Sequence, residues 1–408
     1  MLNFVVYLLL FIVSVEIFLF ILVNLIKKDF QWVITEKDEF PFNSNLEFKN
    51  FLKNNFDKTT GWDRKKNTQG SETLNQKKTY FKITNEGFRN TPFKNKKSLI
   101  SVFGDSYAFC RYVNDEKTWE AKLEKKIKYC VQNFGVGNFG LDQSFLKYKK
   151  TKLSKSIQLI IFAFVPETIV RINSYWKHYN EFGNKFGFKP FFKIKKKKLF
   201  LKKNILYKQI KLGDLKKKIL KIKKEDVFYK KKFKHYMFKF PYTFSYIKSF
   251  ERNNIIFFNI LIFKILKSFK SKNRNKFYQK SYNKVMKDNI KEANKMYFDQ
   301  YFSNHLKSIM IKINQSVKNK NKRCIFLILP QLHDIFLIKK NIPNYQTFFE
   351  QLCLENKLNI LDITKYFLIE KNLKKMYLED NYGGHLSEKG NDFIAKQLYK
   401  YITKKQLL

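Results

Sequence analysis

The sequence predicts an α/β fold: a three-layer α/β/α core on a five-stranded parallel sheet, with one N-terminal transmembrane helix and a Lys/Phe-rich insertion. Three observations predict it. Five short apolar runs alternate with segments of helical spacing. One unbroken apolar stretch stands near the N-terminus. A basic, aromatic-rich segment, residues 172–315, interrupts the alternation.

In chain order, residues 4–26 are almost continuously apolar, about the length of one bilayer-spanning helix. No Lys or Arg precedes them and no small-x-small site follows, so residues 1–28 read as a retained anchor rather than a cleaved signal. Glu16 lies near the middle. It reads either as a tolerated, protonated carboxyl or as a contact point for a membrane partner. Lys27, Lys28 and Lys37 follow the helix, which by the positive-inside rule leaves the C-terminal part in the cytoplasm.

Residues 29–95 are polar and read as an irregular linker or N-terminal extension. The core begins at 96–171. Residues 99–103 form a buried strand that ends at Gly104, Trp119–Ile127 a helix, 129–132 a second strand and 157–165 a third. The insertion reads as a lid or a platform. Its residues 191–201 alternate like a hairpin, and its apolar run 255–266 is too short to span a membrane. The core resumes at 316–408 with strands at 324–329 and 358–361, and helices near 343–355 and 387–403.

The formal net charge is +48, from 82 Lys+Arg against 34 Asp+Glu. Lys, Asn, Ile and Phe are abundant throughout, so the surplus reads as compositional bias more readily than as a selected anionic partner. With an apolar anchor and no recognition motif, charge alone does not indicate nucleic-acid binding. Cys110, Cys130, Cys324 and Cys353 show no CxxC spacing and no nearby His cluster, so no metal site is indicated.

Two segments carry chemistry. Gly104-Asp105-Ser106-Tyr107 follows the first strand, at the carboxyl edge where α/β sheets bind ligands. Alone, Gly104-Asp105-Ser106 is a short tripeptide that also suits a helix cap. Gly383-Gly384-His385 precedes the last helix, where Ser387 suits a cap. A neutral His there is the usual activator of a weak Ser nucleophile.

Together these segments resemble the two ends of the SGNH/GDSL hydrolase superfamily, in its membrane-anchored esterase or acyltransferase form. The resemblance covers about 95–170 and 320–405. It rests on Gly104-Asp105-Ser106, the loop 133–140, His385 with Gly390 after it, and Asn85-Glu86-Gly87-Phe88-Arg89 upstream. It implies Ser106 as nucleophile, His385 as base and the N–H groups of Ser106 and Asn138 as oxyanion donors, with Asp105 and Gly137 at the pocket and no cofactor. It implies hydrolysis or transfer of an O-acyl group on a cell-envelope glycan or lipid, outside the cytoplasmic membrane and against the lysine count.

The sequence departs from the family at three places. Asn138 replaces a glycine. Val165-Pro166-Glu167-Thr168 lacks the third-block Asn, leaving Asn173 or Asn184 as replacements. Tyr382 stands where the family has its triad Asp, so Asp380 is the expected orienting carboxylate, with Glu379 and Asp334 in reserve and a Ser–His dyad as another form. His333 and Asp334 read as pocket residues or as loop and cap. Glu167 and Arg171 read as an i,i+4 ion pair or as rim contacts to substrate. The rival function is a catalytically degenerate scaffold that binds an anionic glycan, a lipid or a membrane partner.

Overall fold

A computed structural model describes residues 2–27, 35–39, 45–196, 198–206, 212–271, 274–380 and 384–408. In chain order the elements used below are α1 (Leu2–Lys27), β1 (Ser98–Gly104), α2 (Ser106–Phe109), α3 (Trp119–Ile127), β2 (Cys130–Asn133), α4 (Leu141–Lys150) and β3 (Leu159–Phe164). They continue with α5 (Tyr242–Ile247), α6 (Phe250–Ser268), α7 (Gln300–Lys318), β4 (Arg323–Ile328), α8 (Leu332–Lys339), α9 (Gln346–Asn356), β5 (Ile360–Asp362) and α10 (Glu388–Lys404). The chain forms two compact units. One comprises Met1–Lys53, Ser174–Phe188 and Lys208–Val285, the other Asn54–Asn173, Lys189–Tyr207 and Met286–Leu408. The expected insertion is thus divided between them.

The second unit holds the sheet. Its five strands are all parallel, in the order β5-β4-β3-β1-β2. Every residue of β3 is buried, because helices cover both faces. Alternate residues serve opposite layers. Ile161, Ala163, Ile325 and Leu327 join Trp119 and Leu123 of α3 and Leu398 of α10 in one apolar cluster. Phe103, Phe162 and Phe326 stack in a row on the other face, with Tyr148 of α4 edge-on to the first two. Each such buried side chain contributes roughly 1.5–3 kcal/mol. The chain leaves β1 for β2 in one direction and reaches β3 in the other. The carboxyl ends of β1 and β3 therefore flank the switch point where ligands bind.

Residues 45–95, which the sequence reads as part of a polar linker, contain regular structure. Thr68–Leu74 and Lys77–Ile83 pair antiparallel through seven residues, turning at Asn75 (φ 48°) and Gln76 (φ 67°). Two successive positive φ values are what a tight hairpin needs, and Asn meets that need at little cost. The first strand is polar but for Leu74 and the second turns only Phe81 and Ile83 inward as apolar residues, which hid the hairpin. The expected hairpin at 191–201 forms as Phe191–Lys195 paired with Lys198–Lys202.

In the first unit, Val23 and Ile26 of α1 share a core with Phe238, Ile256, Phe257, Ile260 and Phe263. The apolar run at 255–266 is the centre of the longer helix α6, which has 19 residues. Helix α1 is long and apolar enough to cross a membrane.

Candidate active site

The site is built at the end of β1. A Cβ on Gly104 would lie 1.9 Å from the Ala163 carbonyl oxygen and 2.6 Å from the Ala108 Cβ, so only glycine lets β1, β3 and α2 meet there. Asp105 then caps α2, its Oδ1 accepting from the Tyr107 N–H at 2.9 Å. The cap suggested for this tripeptide is therefore real, and it leaves Ser106 as the first residue of the helix. Its N–H has no intrahelical acceptor at that position. Ser106 is only 6% exposed.

His385 comes from the segment before α10. Its Nε2 lies 2.8 Å from the Ser106 Oγ, and its Nδ1 is hydrogen-bonded to Asp380 Oδ2. A carboxylate only accepts, so Nδ1 carries the proton and Nε2 is left to accept from the serine hydroxyl. Asp380 also accepts from the backbone N–H groups of Gly384 (3.0 Å) and His385 (3.2 Å). The five-residue spacing closes because Gly384 takes φ +88° and the Leu378 N–H bonds back to the His385 carbonyl at 2.7 Å. Asn381, Tyr382 and Gly383 lie outside the described residues. Ser387 caps α10, accepting from the Gly390 N–H.

Two tyrosines enclose the imidazole. Tyr107 places its ring 4.9 Å from that of His385 and donates from its hydroxyl to the Gly384 carbonyl at 2.7 Å. Tyr112 meets the imidazole edge-on at 5.7 Å. Neither emerged from the sequence as a site residue. Tyr107 directly follows the serine, and that adjacency was the available signal.

Arg171, buried after β3, ties the rest together. It donates to Asp105 Oδ2 (3.2 Å), the Phe139 carbonyl (3.2 Å) and Glu167 Oε2 (2.7 Å). The Glu167–Arg171 ion pair exists, and it also reaches the serine turn and the loop 133–140. That loop is held at its start by Asn133, whose amide donates to the Ala108 carbonyl at 2.7 Å. Further on, the Trp62 indole donates to the Gly137 carbonyl at 3.1 Å. Asn138 adopts φ +68°, the left-handed region that glycine prefers and Asn tolerates best among the others. Its N–H meets no acceptor among the described residues.

The remaining candidates are placed as follows. Asp334 accepts from the Gln331 N–H at the start of α8 and from the Asn294 amide, and burial pushes its carboxyl up to about 7. It serves that cap, and Asp380 rather than Asp334 or Glu379 meets His385. His333 has its pKa lowered by burial and by Lys287, with Asp380 opposing. Asn173 donates its amide to the Ile169 carbonyl and accepts from His305, which leaves that amide committed elsewhere. Asn184 bonds to Glu181 in the other unit. Among the described residues no three His, Cys, Asp or Glu side chains group as metal ligands.

No family model matches the chain, and no curated protein matches it. Among solved structures it is similar to a protein from Desulfitobacterium hafniense DCB-2 described as lipolytic and of the G-D-S-L family. That likeness has 10% identity and a TM-score of 0.35, and covers 74% of this chain and 99% of that one. It is also similar to a lipase/acylhydrolase from Enterococcus faecalis, at 9% identity and a TM-score of 0.33, covering 76% and 96%. The chain itself has a five-stranded parallel sheet with Gly-Asp-Ser at the end of its first strand and a histidine before its last helix that bonds to that serine, the arrangement that the sequence resemblance to SGNH/GDSL hydrolases implies.

Proposed function

We propose that this chain cleaves or transfers an O-acyl group through an acyl-enzyme on Ser106. The observation that carries this reading is the buried hydrogen-bonded series Asp380, His385, Ser106. His385 takes the Ser106 proton as Oγ attacks an ester carbonyl, and returns it to the leaving alcohol. Asp380 holds the imidazole and stabilises its charged form. The N–H groups of Ser106 and Asn138 receive the negative charge that develops on the carbonyl oxygen. Water or an acceptor hydroxyl then releases the acyl group. The degenerate-scaffold alternative has no comparable support, since a scaffold that only binds has no need of an aligned Ser–His–Asp series.

The acyl group belongs, in this reading, to a cell-envelope glycan or lipid, with the catalytic unit on the outer side of the cytoplasmic membrane. Helix α1 is a retained anchor. In support, Val23 and Ile26 are fully buried in the core of the first unit, where a cleaved leader would contribute nothing.

Full-length protein in detergent, treated with a fluorophosphonate, should be labelled once, on the peptide carrying Ser106, and should turn over short-chain aryl esters. Labelling elsewhere, or equal turnover by Ser106→Ala, would refute the nucleophile. Adding a polyol acceptor and measuring acylated polyol against free acid separates transfer from hydrolysis.

A further inference from the structure

We propose that α5 and α6 are embedded in the lipid bilayer beside α1, so that the chain is held by a membrane platform rather than by a single helix. This rests on the reading of α1 as a membrane anchor.

The first observation is at Glu16. Its carboxylate accepts from the backbone N–H groups of Tyr242 (2.5 Å) and Thr243 (2.8 Å), the first turn of α5. An anion at a helix N-terminus meets unpaired donors and the positive end of the helix dipole. This removes most of the cost of a carboxylate in an apolar helix. Glu16 lies eleven residues before Lys27, the last residue of α1. At 1.5 Å per residue that is about 16 Å, roughly half the hydrocarbon thickness of a bilayer. With α1 in the membrane, α5 therefore begins near mid-depth.

The second observation is that α6 is apolar on two sides. Ile256, Phe257, Ile260 and Phe263 pack against Val23 and Ile26 of α1. Phe258, Leu261, Ile265 and Phe269 point away and are exposed, Phe258 at 64% and Phe269 at 78%. Their spacing of three, four and four residues makes one continuous stripe. Phe244 and Ile247 of α5 are exposed as well. An exposed apolar stripe of this kind facing water invites aggregation, whereas lipid would cover it.

The third observation is where the charges stand. Lys264 donates to the Leu25 carbonyl at 2.6 Å, next to Lys27, and Lys267 follows one turn later. Lys27, Lys264 and Lys267 thus stand together at the end of α1, where anionic lipid headgroups would lie, while Lys248, Glu251 and Arg252 mark the other end of α6. Apolar stripe, mid-depth start and basic rim together identify the occupant of the exposed face as lipid.

The test uses the full chain in vesicles of phosphatidylethanolamine and phosphatidylglycerol that contain brominated lipid. Cys353 is the exposed cysteine, while Cys110, Cys130 and Cys324 are buried. In a Cys353→Ser background, Leu8→Cys, Phe244→Cys and Phe258→Cys each receive an environment-sensitive fluorophore. Unchanged Cys353 serves as the water reference. Circular dichroism confirms that each labelled protein is folded. Labels at 244 and 258 should lose as much emission to bromolipid as the label at 8, and none to aqueous iodide. Iodide quenching at 244 and 258, with bromolipid quenching at 8, would overturn the platform and leave the anchor intact. Protection from both quenchers at 244 and 258 would show protein covering the stripe, and would also overturn it. Iodide quenching at position 8 would remove the anchor reading itself, and the platform with it.

Discussion

Arg171 donates to Asp105 across 3.2 Å, and both side chains are buried. This contact joins the serine turn after β1 to the segment after β3. The same guanidinium reaches the Phe139 carbonyl in the loop that presents Asn138. Arg171→Met should leave Asp105 without its buried cation and cost about 3–5 kcal/mol in chemical denaturation. Arg171→Lys keeps the charge but loses the planar fork. It should cost less stability and still lower kcat more than it raises KM, because the loop 133–140 that presents Asn138 loses its register with Ser106. A change in KM alone would show that Arg171 meets substrate instead.

Asp380 is the next test. In Asp380→Asn the side-chain amide donates where the carboxylate accepted, which favours the histidine tautomer with its proton on Nε2. That proton then faces the Ser106 hydroxyl and the base is lost. Ester turnover should fall by about 10⁴ in kcat, with KM little changed. Activity near that of the parent would mean that a dyad suffices.

Asn138 separates backbone from side chain. Asn138→Gly keeps the N–H and suits φ +68°, so turnover should stay within a few-fold of the parent. Asn138→Val forces a β-branched residue into that region at a cost of roughly 1–3 kcal/mol. It should displace the N–H and lower kcat, as steady-state turnover would show. Strong loss in Asn138→Gly would assign the role to the side-chain amide.

Glu120 supplies a pH signature of stability. It is buried on α3, where the Cys110 thiol donates to it at 3.2 Å, and burial pushes its carboxyl from 4.5 up to about 8. The folded chain therefore holds this proton at pH values where the unfolded chain has lost it. Its favourable contribution is full below about pH 4.5 and is lost as the pH climbs to about 8. Glu120→Gln should flatten that decline, raising the melting temperature at about pH 8 relative to the parent and changing little at about pH 4. Parallel melting curves across the whole range would contradict a buried neutral Glu120.

The parts of the fold that were legible in the sequence share a physical cause. The strands β1, β3 and β4 are covered on both faces, so their apolar character is continuous and ends at Gly104, Pro166 and Pro330. The hairpin 68–83 was hidden because its first strand is polar but for Leu74 and the apolar side of its second strand is only two residues long, Phe81 edge-on to Phe109 and the buried Ile83. Within the site, Ser106 and His385 stand in local patterns that announce chemistry. Asp380 was readable only as a carboxylate near the histidine, since its bond depends on how Gly384 turns the chain. The Arg171–Asp105 contact spans 66 residues of sequence and two strands of sheet, and nothing local encodes it. The segment after β3, where the SGNH/GDSL resemblance implies an Asn, is otherwise filled. Arg171, Glu167 and Thr168, whose hydroxyl accepts from the Leu141 N–H, occupy that region with a brace of their own.

The burial of Val23 and Ile26 has a practical consequence for preparing this protein. Trimming an apolar leader is the ordinary route to a water-soluble form. Here the cut would also remove two wall residues from the first unit's core, strip the α5 N-terminus of its Glu16 carboxylate, and bare Ile256, Phe257, Ile260 and Phe263 to solvent. Such a truncated chain should be recovered in inclusion bodies, and a working preparation calls for detergent or nanodiscs around an intact N-terminus.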